Sequence, residues 1–151
     1  MLELARPEDR EAVNAMAREV HAMHVAWRPD IYVPCDCLYS EERFHAAVKS
    51  KWLYVAKCNG IVVGYVLLRI GTIDHPALVK QKVMKIDEIC VSESCRNQGI
   101  GKEMMTDIHA LARAFGCTDL QLGVNPLNDG AVTFYQKCGF AIRDIQMQKK
   151  V

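Results

Sequence analysis

Apolar residues recur along this chain with two periods, one typical of helices and one typical of strands. A spacing of three and four residues predicts helices over residues 8–25 and 99–115. Apolar, β-rich runs on either side of Asn59-Gly60 predict a hairpin, because this dipeptide favours a two-residue turn. The full set adds helices at 41–49 and 129–137 and gives strands at 2–5, 52–57, 61–70, 82–91, 119–124 and 140–147.

Residues that favour helix ends support these boundaries. Ser40 and Asn128 precede predicted helices as N-caps, and Gly116 and Gly139 follow predicted helices as C-terminal caps. The order β-α-α-β-β-β-α-β-α-β contains no internal repeat, linker or low-complexity tract. We therefore expect residues 1–151 to form a single domain of mixed α/β class, long enough to bury one core.

Composition and charge exclude several classes of protein. The net charge is +1, which does not favour nucleic acid as a partner. No apolar run approaches the roughly 20 residues that a membrane span requires, so we expect no membrane partner. The first residues, MLELARPEDREAV, have acids where a signal peptide needs bases and an apolar run. These features predict a cytoplasmic protein.

Seven cysteines are scattered along the chain in odd number, which fits reduced thiols. Cys35 and Cys37 flank Asp36, but no second cysteine pair or histidine couple completes a zinc site. We expect no metal.

The stretch from Lys85 to Met105 carries the strongest chemical signal. An apolar strand is followed by a polar turn with Gly99 and Gly101, where a helix opens. The first N–H groups of a helix have no intrahelical acceptor, so this arrangement favours an anion such as phosphate. A P-loop needs Ser or Thr after Gly-Lys, whereas Glu103 stands there, and a dinucleotide fingerprint needs three glycines where this turn has two.

The hexapeptide RNQGIG, residues 96–101, resembles the acyl-coenzyme A signature Arg/Gln-x-x-Gly-x-Gly/Ala of the GNAT N-acetyltransferase superfamily. The segment NDGAVTFYQKCGF, residues 128–140, is similar to the family segment Asn-x-x-Ala-x-x-Phe-Tyr-x-Lys-x-Gly-Phe. The resemblance implies the GNAT fold: a mixed central β-sheet of about six to seven strands with about four flanking helices. It also implies that two splayed central strands bind acyl-CoA.

The resemblance further implies which residues bind the coenzyme. Backbone donors at 98–102 point into one concavity, and glycine at 99 and 101 lets a pyrophosphate approach the chain. Asn128 is expected both to cap its helix and to bond the coenzyme arm. The full set of expected coenzyme contacts is Ile89, Cys90, Val91, Arg96, Asn97, Gln98, Gly99, Ile100, Gly101, Lys102, Asn128 and Tyr135.

Two catalytic residues follow from the same resemblance. Tyr135 corresponds to the family's general acid; its alternative is a core tyrosine on an amphipathic helix. Glu88 corresponds to an acidic residue that contacts the incoming amine and is expected to act as base. Asp87 and a chain of waters are the alternatives to Glu88 as the base. Neighbours on a strand point to opposite faces unless a bulge intervenes, so at most one of the two acids should reach the site.

The acceptor is expected to bind near the end of the first helix. His21, His24, Trp27 and Tyr32 form a polar and aromatic cluster, with Arg28 and Asp30 between them. A solvated helix end with a buried tryptophan is the alternative.

The sequence therefore predicts an N-acetyltransferase that uses acetyl-CoA as co-substrate and no metal. A primary amine of a small molecule or of a protein or peptide attacks the thioester directly in a ternary complex. The alternative is a non-catalytic acyl-CoA-binding sensor of the same fold. A cysteine nucleophile would need a paired histidine, and none can be assigned. A homodimer is left open.

Overall fold

The computed structural model describes residues 1–151. Four helices and five strands follow one another in the order β-α-α-β-β-β-α-β-α. Single turns of 3₁₀ helix at Pro7–Asp9 and Glu93–Cys95 precede the first and third helices. The helices are α1 Arg10–Trp27, α2 Glu41–Ser50, α3 Ile100–Ala114 and α4 Asp129–Lys137; the strands are β1 Leu2–Leu4, β2 Leu53–Cys58, β3 Ile61–Ile73, β4 Gln81–Val91 and β5 Asp119–Leu122.

The five strands form one mixed sheet in the order β1-β2-β3-β4-β5. The first four strands pair antiparallel, and β4 pairs parallel to β5. A parallel pair requires a crossover, which α3 supplies. The mixed α/β class and the four helices are confirmed.

Local chemistry sets the ends of several elements as predicted. Ser40 Oγ accepts a hydrogen bond from the Arg43 backbone N–H at 3.2 Å and caps α2. Asn59 and Gly60 have φ of 50° and 79°, which is the hairpin turn expected between β2 and β3. Gly116, directly beyond the end of α3, has φ of 69°, a left-handed conformation that glycine adopts without steric cost.

The two faces of the sheet bury different helices. Side chains from α3, including Met104 and Ile108, pack on one face with Val66 and Met84. On the other face Val13 of α1 and Phe44 of α2 pack on the alternate strand residues, including Leu53, Val55 and Tyr65.

A β-bulge interrupts the pairing of β3 with β4. Leu67 lies opposite Glu88 and Leu68 lies opposite Ile86, so Asp87 has no partner in the ladder. A bulge re-aims the side chains beside it. This is the exception that allows neighbouring acids to reach the same side of a strand.

The predicted strand at 140–147 is wrong, and the sheet has five strands where six to seven were expected. Its apolar residues fit the β pattern, but a strand forms only where a neighbour accepts its backbone hydrogen bonds. Residues 141–151 have no such neighbour within the chain and are exposed throughout. None of the helices combines the length and the hydropathy needed to cross a bilayer.

Candidate active site

A cleft of about 410 Å³ opens where β4 and β5 part. The two strands pair only from Val83–Ile86 to Asp119–Leu122, and β4 then continues to Val91 while β5 ends. The expected splay of central strands is therefore present. The cleft is lined by Ala17, Val20, His21, His24, Tyr32, Leu38, Arg43, Tyr65, Ile86, Asp87, Glu88, Ile89, Leu122, Gly123, Val124, Asn125, Asn128, Ala131 and Tyr135.

Three donors hold the Glu88 carboxylate in this cleft. Its Oε2 atom accepts hydrogen bonds from the Tyr39 hydroxyl at 2.8 Å and the Tyr65 hydroxyl at 3.1 Å. Its Oε1 atom accepts one from Arg43 Nη2 at 2.6 Å. Hydrogen bonds to a carboxylate are stronger than those between neutral groups, so these contacts fix the orientation of the Glu88 side chain.

Sequence reasoning missed Tyr39, Arg43 and Tyr65. The Arg43 guanidinium lies 4.3 Å from the centroid of the Tyr39 ring, which is fully buried. One signal was available, because Tyr39 precedes the N-cap of α2 and packs edge-on against Phe44 at 6.0 Å. This is the hydrophobic staple, which turns the residue before an N-cap inward. Burial, with the charge of Glu88 next, raises the pKa of both tyrosines, so both hydroxyls remain donors.

Asp87 is held by a side chain of the neighbouring strand β3. Its two oxygens accept from Nε and Nη2 of Arg69 on β3, each at 3.0 Å. Asp87 lines the cleft together with Glu88, so the expectation that only one of the acids would face it is wrong. The bulge is the reason, because Asp87 has no ladder partner that would fix the alternation.

Tyr135 lines the cleft from α4. Burial, with the Cys138 and Cys90 thiols as smaller causes, raises the pKa of Tyr135 to about 12. Its hydroxyl therefore stays protonated across the neutral range. Asn128, at the start of the same helix, accepts from the Ala131 N–H at 3.2 Å, which confirms the predicted cap, and it also lines the cleft.

The glycine turn lies between the end of β4 and α3. Asn97 and Gly99 have φ of 62° and 85°, and a Cβ on Gly99 would meet nothing within 4 Å. The backbone N–H groups of residues 99–102 have no acceptor within the chain. At position 101 packing favours glycine, since a Cβ there would lie 3.3 Å from the Phe134 ring of α4.

Arg96 and Cys90 point away from this turn. Arg96 Nε donates to the Val91 carbonyl at 3.1 Å, and its Nη2 lies 3.6 Å from Glu19 on α1. A contact between Arg96 and a coenzyme remains a prediction. Cys90 is buried, and burial raises the pKa of its thiol to about 11, so the thiolate that a nucleophile needs is scarce at neutral pH.

Three of the four residues of the predicted acceptor cluster line the cleft. His24 stacks on Tyr32 with ring centroids 5.2 Å apart, and His21 Nε2 donates to the Val33 carbonyl at 2.6 Å. Burial, and then the charge of His21, lowers the pKa of His24. Trp27 ends α1 outside the cleft lining, with its ring 5.9 Å from that of His24. No three His, Cys, Asp or Glu side chains are grouped to hold a metal ion.

The sequence model of the acetyltransferase (GNAT) family matches residues 17–140. The chain is 29% identical over 118 residues to an uncharacterized N-acetyltransferase of Methanocaldococcus jannaschii, which covers 73% of this chain and 51% of that protein. It is 32% identical over 108 residues to N-acetyltransferase 8 of Mus musculus, which covers 69% of this chain and 46% of that protein. The chain thus spans about half the length of these relatives.

Solved structures with the same fold span the chain. A mutant of the BH1408 protein from Bacillus halodurans superposes with a TM-score of 0.95 at 25% identity, over 100% of this chain and 99% of that one. The aminoglycoside N-acetyltransferase AAC(6')-Iy, in complex with CoA, superposes with a TM-score of 0.70 at 15% identity, over 100% and 95%. At this lower identity the likeness concerns the fold alone.

Proposed function

The chain belongs to the acetyltransferase (GNAT) family, and from this premise we propose that it transfers the acetyl group of acetyl-CoA to a primary amine. The observation that carries the proposal is the cleft between β4 and β5, which combines a held carboxylate, Glu88, with a protonated tyrosine, Tyr135. The amine belongs to a small molecule or a peptide and attacks directly in a ternary complex. Residues 1–151 act as one catalytic domain.

The shape and the free donors of the chain fit the coenzyme. The N–H groups of residues 99–102 have no acceptor within the chain, and the partial positive charge of the α3 N-terminus suits a pyrophosphate. On β4 the residues from Ile89 to Val91 have no partner on the β5 side. Apart from the Val91 carbonyl, which accepts from Arg96, their backbone groups on that edge are available to the pantetheine arm. The coenzyme supplies the acetyl thioester.

Glu88 is the proposed acceptor-side residue. Three donors hold its carboxylate in one orientation, from which it attracts the ammonium form of the amine and orients it. The amine must lose a proton before it can attack. Glu88 takes this proton directly or through a water. The water route passes the proton to solvent, and it is offered because the Glu88 oxygens already accept three hydrogen bonds.

Tyr135 is the proposed proton donor. The neutral amine forms a C–N bond to the acetyl carbon, and the C–S bond breaks with the electron pair on sulfur. As the C–N bond forms, the nitrogen loses its second proton to solvent, and Tyr135 gives its phenolic proton to the sulfur. Tyr135 then regains a proton from solvent, so the proton lost by the nitrogen balances the one gained by the thiol. Free backbone N–H groups of β4 would stabilise the charge that develops on the carbonyl oxygen.

An amine screen tests this function. The chain is incubated with acetyl-CoA and a panel of small amines and short peptides, with the N-acetylated form of each amine as its matched control. Because seven cysteines react with thiol reagents, the acetylated amine is measured directly by mass spectrometry.

Acetylation of at least one amine, and of no blocked control, is the expected result. Thermal stabilisation by acetyl-CoA without turnover on any amine would overturn the enzymatic function and favour the non-catalytic acyl-CoA-binding sensor. The absence of both thermal stabilisation and turnover would overturn both the enzyme and the sensor.

A further inference from the structure

Aromatic rings line the cleft on the side of α1. His21 and His24 belong to that helix, and Tyr32 belongs to the loop that follows it. The rings of His24 and Tyr32 stack with centroids 5.2 Å apart, and the ring of His21 meets that of Tyr32 edge-on at 6.1 Å. These three residues, called here the ring cluster, are half-buried. Part of their aromatic surface is therefore open to the cleft.

Apolar side chains share this wall with the ring cluster. Four α1 residues of the lining recur at three- and four-residue spacing, which places them on one helix face: Ala17, Val20, His21 and His24. Leu38, from the loop after α1, lines the cleft with them. Seven residues of helix rise about 10 Å, which is about the length of a ring joined to an amine by two carbons.

The cleft offers no unpaired lysine or arginine to a negatively charged acceptor. Arg43 is the only residue of these two types in the lining, and its guanidinium donates to Glu88 and to the Leu38 carbonyl. Asp87 and Glu88 both face the cleft. A carboxylate or phosphate beside the amine would meet these two acids, and like charges in contact disfavour binding.

The two acids differ in what they offer to a positively charged group. Both oxygens of Asp87 accept from the Arg69 guanidinium, each at 3.0 Å. Only one oxygen of Glu88 accepts from a guanidinium, and the other accepts from two tyrosine hydroxyls. The cleft therefore suits one ammonium group, at Glu88, and an acceptor whose remaining part is uncharged.

We propose that the acceptor is an arylalkylamine, in which a short carbon chain joins a primary amine to an uncharged aromatic ring. The amine lies at Glu88, and its ring packs on the ring cluster and the apolar residues of α1. This acceptor class rests on the proposed acetyl transfer, because it names the amine of that reaction. The competing role of the ring cluster is structural, since His21 Nε2 also donates to the Val33 carbonyl at 2.6 Å and ties the loop to α1.

Two amines that differ by a ring test the proposal. Acetylation of 2-phenylethylamine and of butylamine is measured by mass spectrometry at saturating acetyl-CoA. We expect kcat/KM to be about tenfold higher for 2-phenylethylamine, because burial of the ring and its aromatic contacts favour it. Phenylalanine adds a carboxylate beside the amine and should have a kcat/KM about tenfold lower than that of 2-phenylethylamine.

Variants separate recognition of the ring from support of the loop. Tyr32→Leu and His24→Leu should each lower the ratio of kcat/KM for 2-phenylethylamine to that for butylamine about five- to tenfold. Tyr32→Phe keeps the ring and should keep the ratio. His109→Leu is the matched control, because it removes an exposed histidine of α3, on the other face of the sheet, and it should leave the ratio unchanged.

Equal losses with both amines in the two leucine variants would mean that the ring cluster only supports the loop, and would overturn the proposal. Acetylation of butylamine or of other amines with no preference for the ring would also overturn it, while acetyl transfer would stand.

Calorimetry in the presence of excess coenzyme A separates the acceptor class from the reaction, because binding needs no turnover. The chain should bind 2-phenylethylamine about tenfold more tightly than butylamine. Such binding without acetylation of any amine would overturn acetyl transfer and keep the ligand class. Absence of any preference for 2-phenylethylamine in calorimetry would overturn the ligand class.

Discussion

Tyr39→Phe isolates the support that the helix layer gives to Glu88. The substitution removes one hydroxyl, which donates to Glu88 Oε2 at 2.8 Å, and leaves the ring in place. The ring contacts that remain are those with Phe44 and Tyr65, each at 6.0 Å between centroids, and with the Arg43 guanidinium. The measured change therefore reports the hydrogen bond rather than a cavity.

The magnitude follows from the partners of the bond. A hydrogen bond to a charged group contributes about 1.5–3 kcal/mol, and the hydroxyl that donates this one belongs to a fully buried residue. We expect a loss of about 2 kcal/mol in the free energy of unfolding, which lowers the melting temperature by about 4–8 °C. Because Glu88 keeps its bonds to Tyr65 and Arg43, it should reorient rather than leave the cleft, and kcat/KM for the amine should fall about tenfold.

Tyr54→Phe is the matched control. Tyr54 is a core tyrosine whose pKa is raised by burial alone, with no hydrogen-bonded partner among the causes. Its loss of a hydroxyl should cost less than about 0.5 kcal/mol. Urea unfolding of both variants decides the question. Equal stability losses in the two variants would refute the support of Glu88 by Tyr39, and so would a normal kcat/KM in Tyr39→Phe.

Three further changes test the coenzyme turn, the acid and the pH dependence. Gly99→Val and Gly116→Val both place a side chain at positive φ in open space, at opposite ends of α3. Both variants should therefore lose about 1–2 kcal/mol of stability. Only Gly99→Val should lose acetyl-CoA binding in calorimetry. Tyr135→Phe should lower kcat with little change in acetyl-CoA affinity, and an unchanged kcat with chemistry limiting would remove Tyr135 as the acid; Tyr54→Phe should keep full activity. Burial lowers the pKa of His24 in the folded chain, so the unfolded chain binds the proton more readily and stability should fall as pH drops below about 6.5. His24→Gln should flatten this pH dependence in urea unfolding, and an unchanged slope would contradict the assignment.

The arrangement of the cleft distinguishes its two carboxylates, Asp87 and Glu88. Asp87 is held by Arg69 and Glu88 by Arg43, so each acid in the cleft has a cationic partner. Glu88 has two tyrosine hydroxyls in addition, on the half-buried side of the site. It is thus the more rigid of the two acids, and rigidity is what an amine-orienting group needs.

Local chemistry in the sequence determined the boundaries of the elements. The caps Ser40 and Asn128 and the glycine after α3 marked helix ends, because the hydrogen bonds and left-handed conformations they supply involve only neighbouring residues. The helix at 129–137 was predicted to the residue. The mixed α/β class followed from the order of the predicted elements, and the family followed from two short motifs.

Contacts between distant residues could not be predicted in the same way. Tyr39 and Arg43 reach Glu88 across 49 and 45 positions of sequence, and only the packing of α2 on the sheet brings them together. The bulge opposite Asp87 is a matter of register between β3 and β4, which an alternating pattern does not reveal.

Residues 141–151 show the limit most clearly. Their sequence has the apolar character of a strand, and by itself it predicted one at 140–147. A strand also needs a neighbour, and the tertiary structure leaves residues 141–151 without any within the chain. The sequence by itself determined the apolar pattern of this segment, and only the tertiary structure decided that no partner strand lies within reach of its backbone in the same molecule.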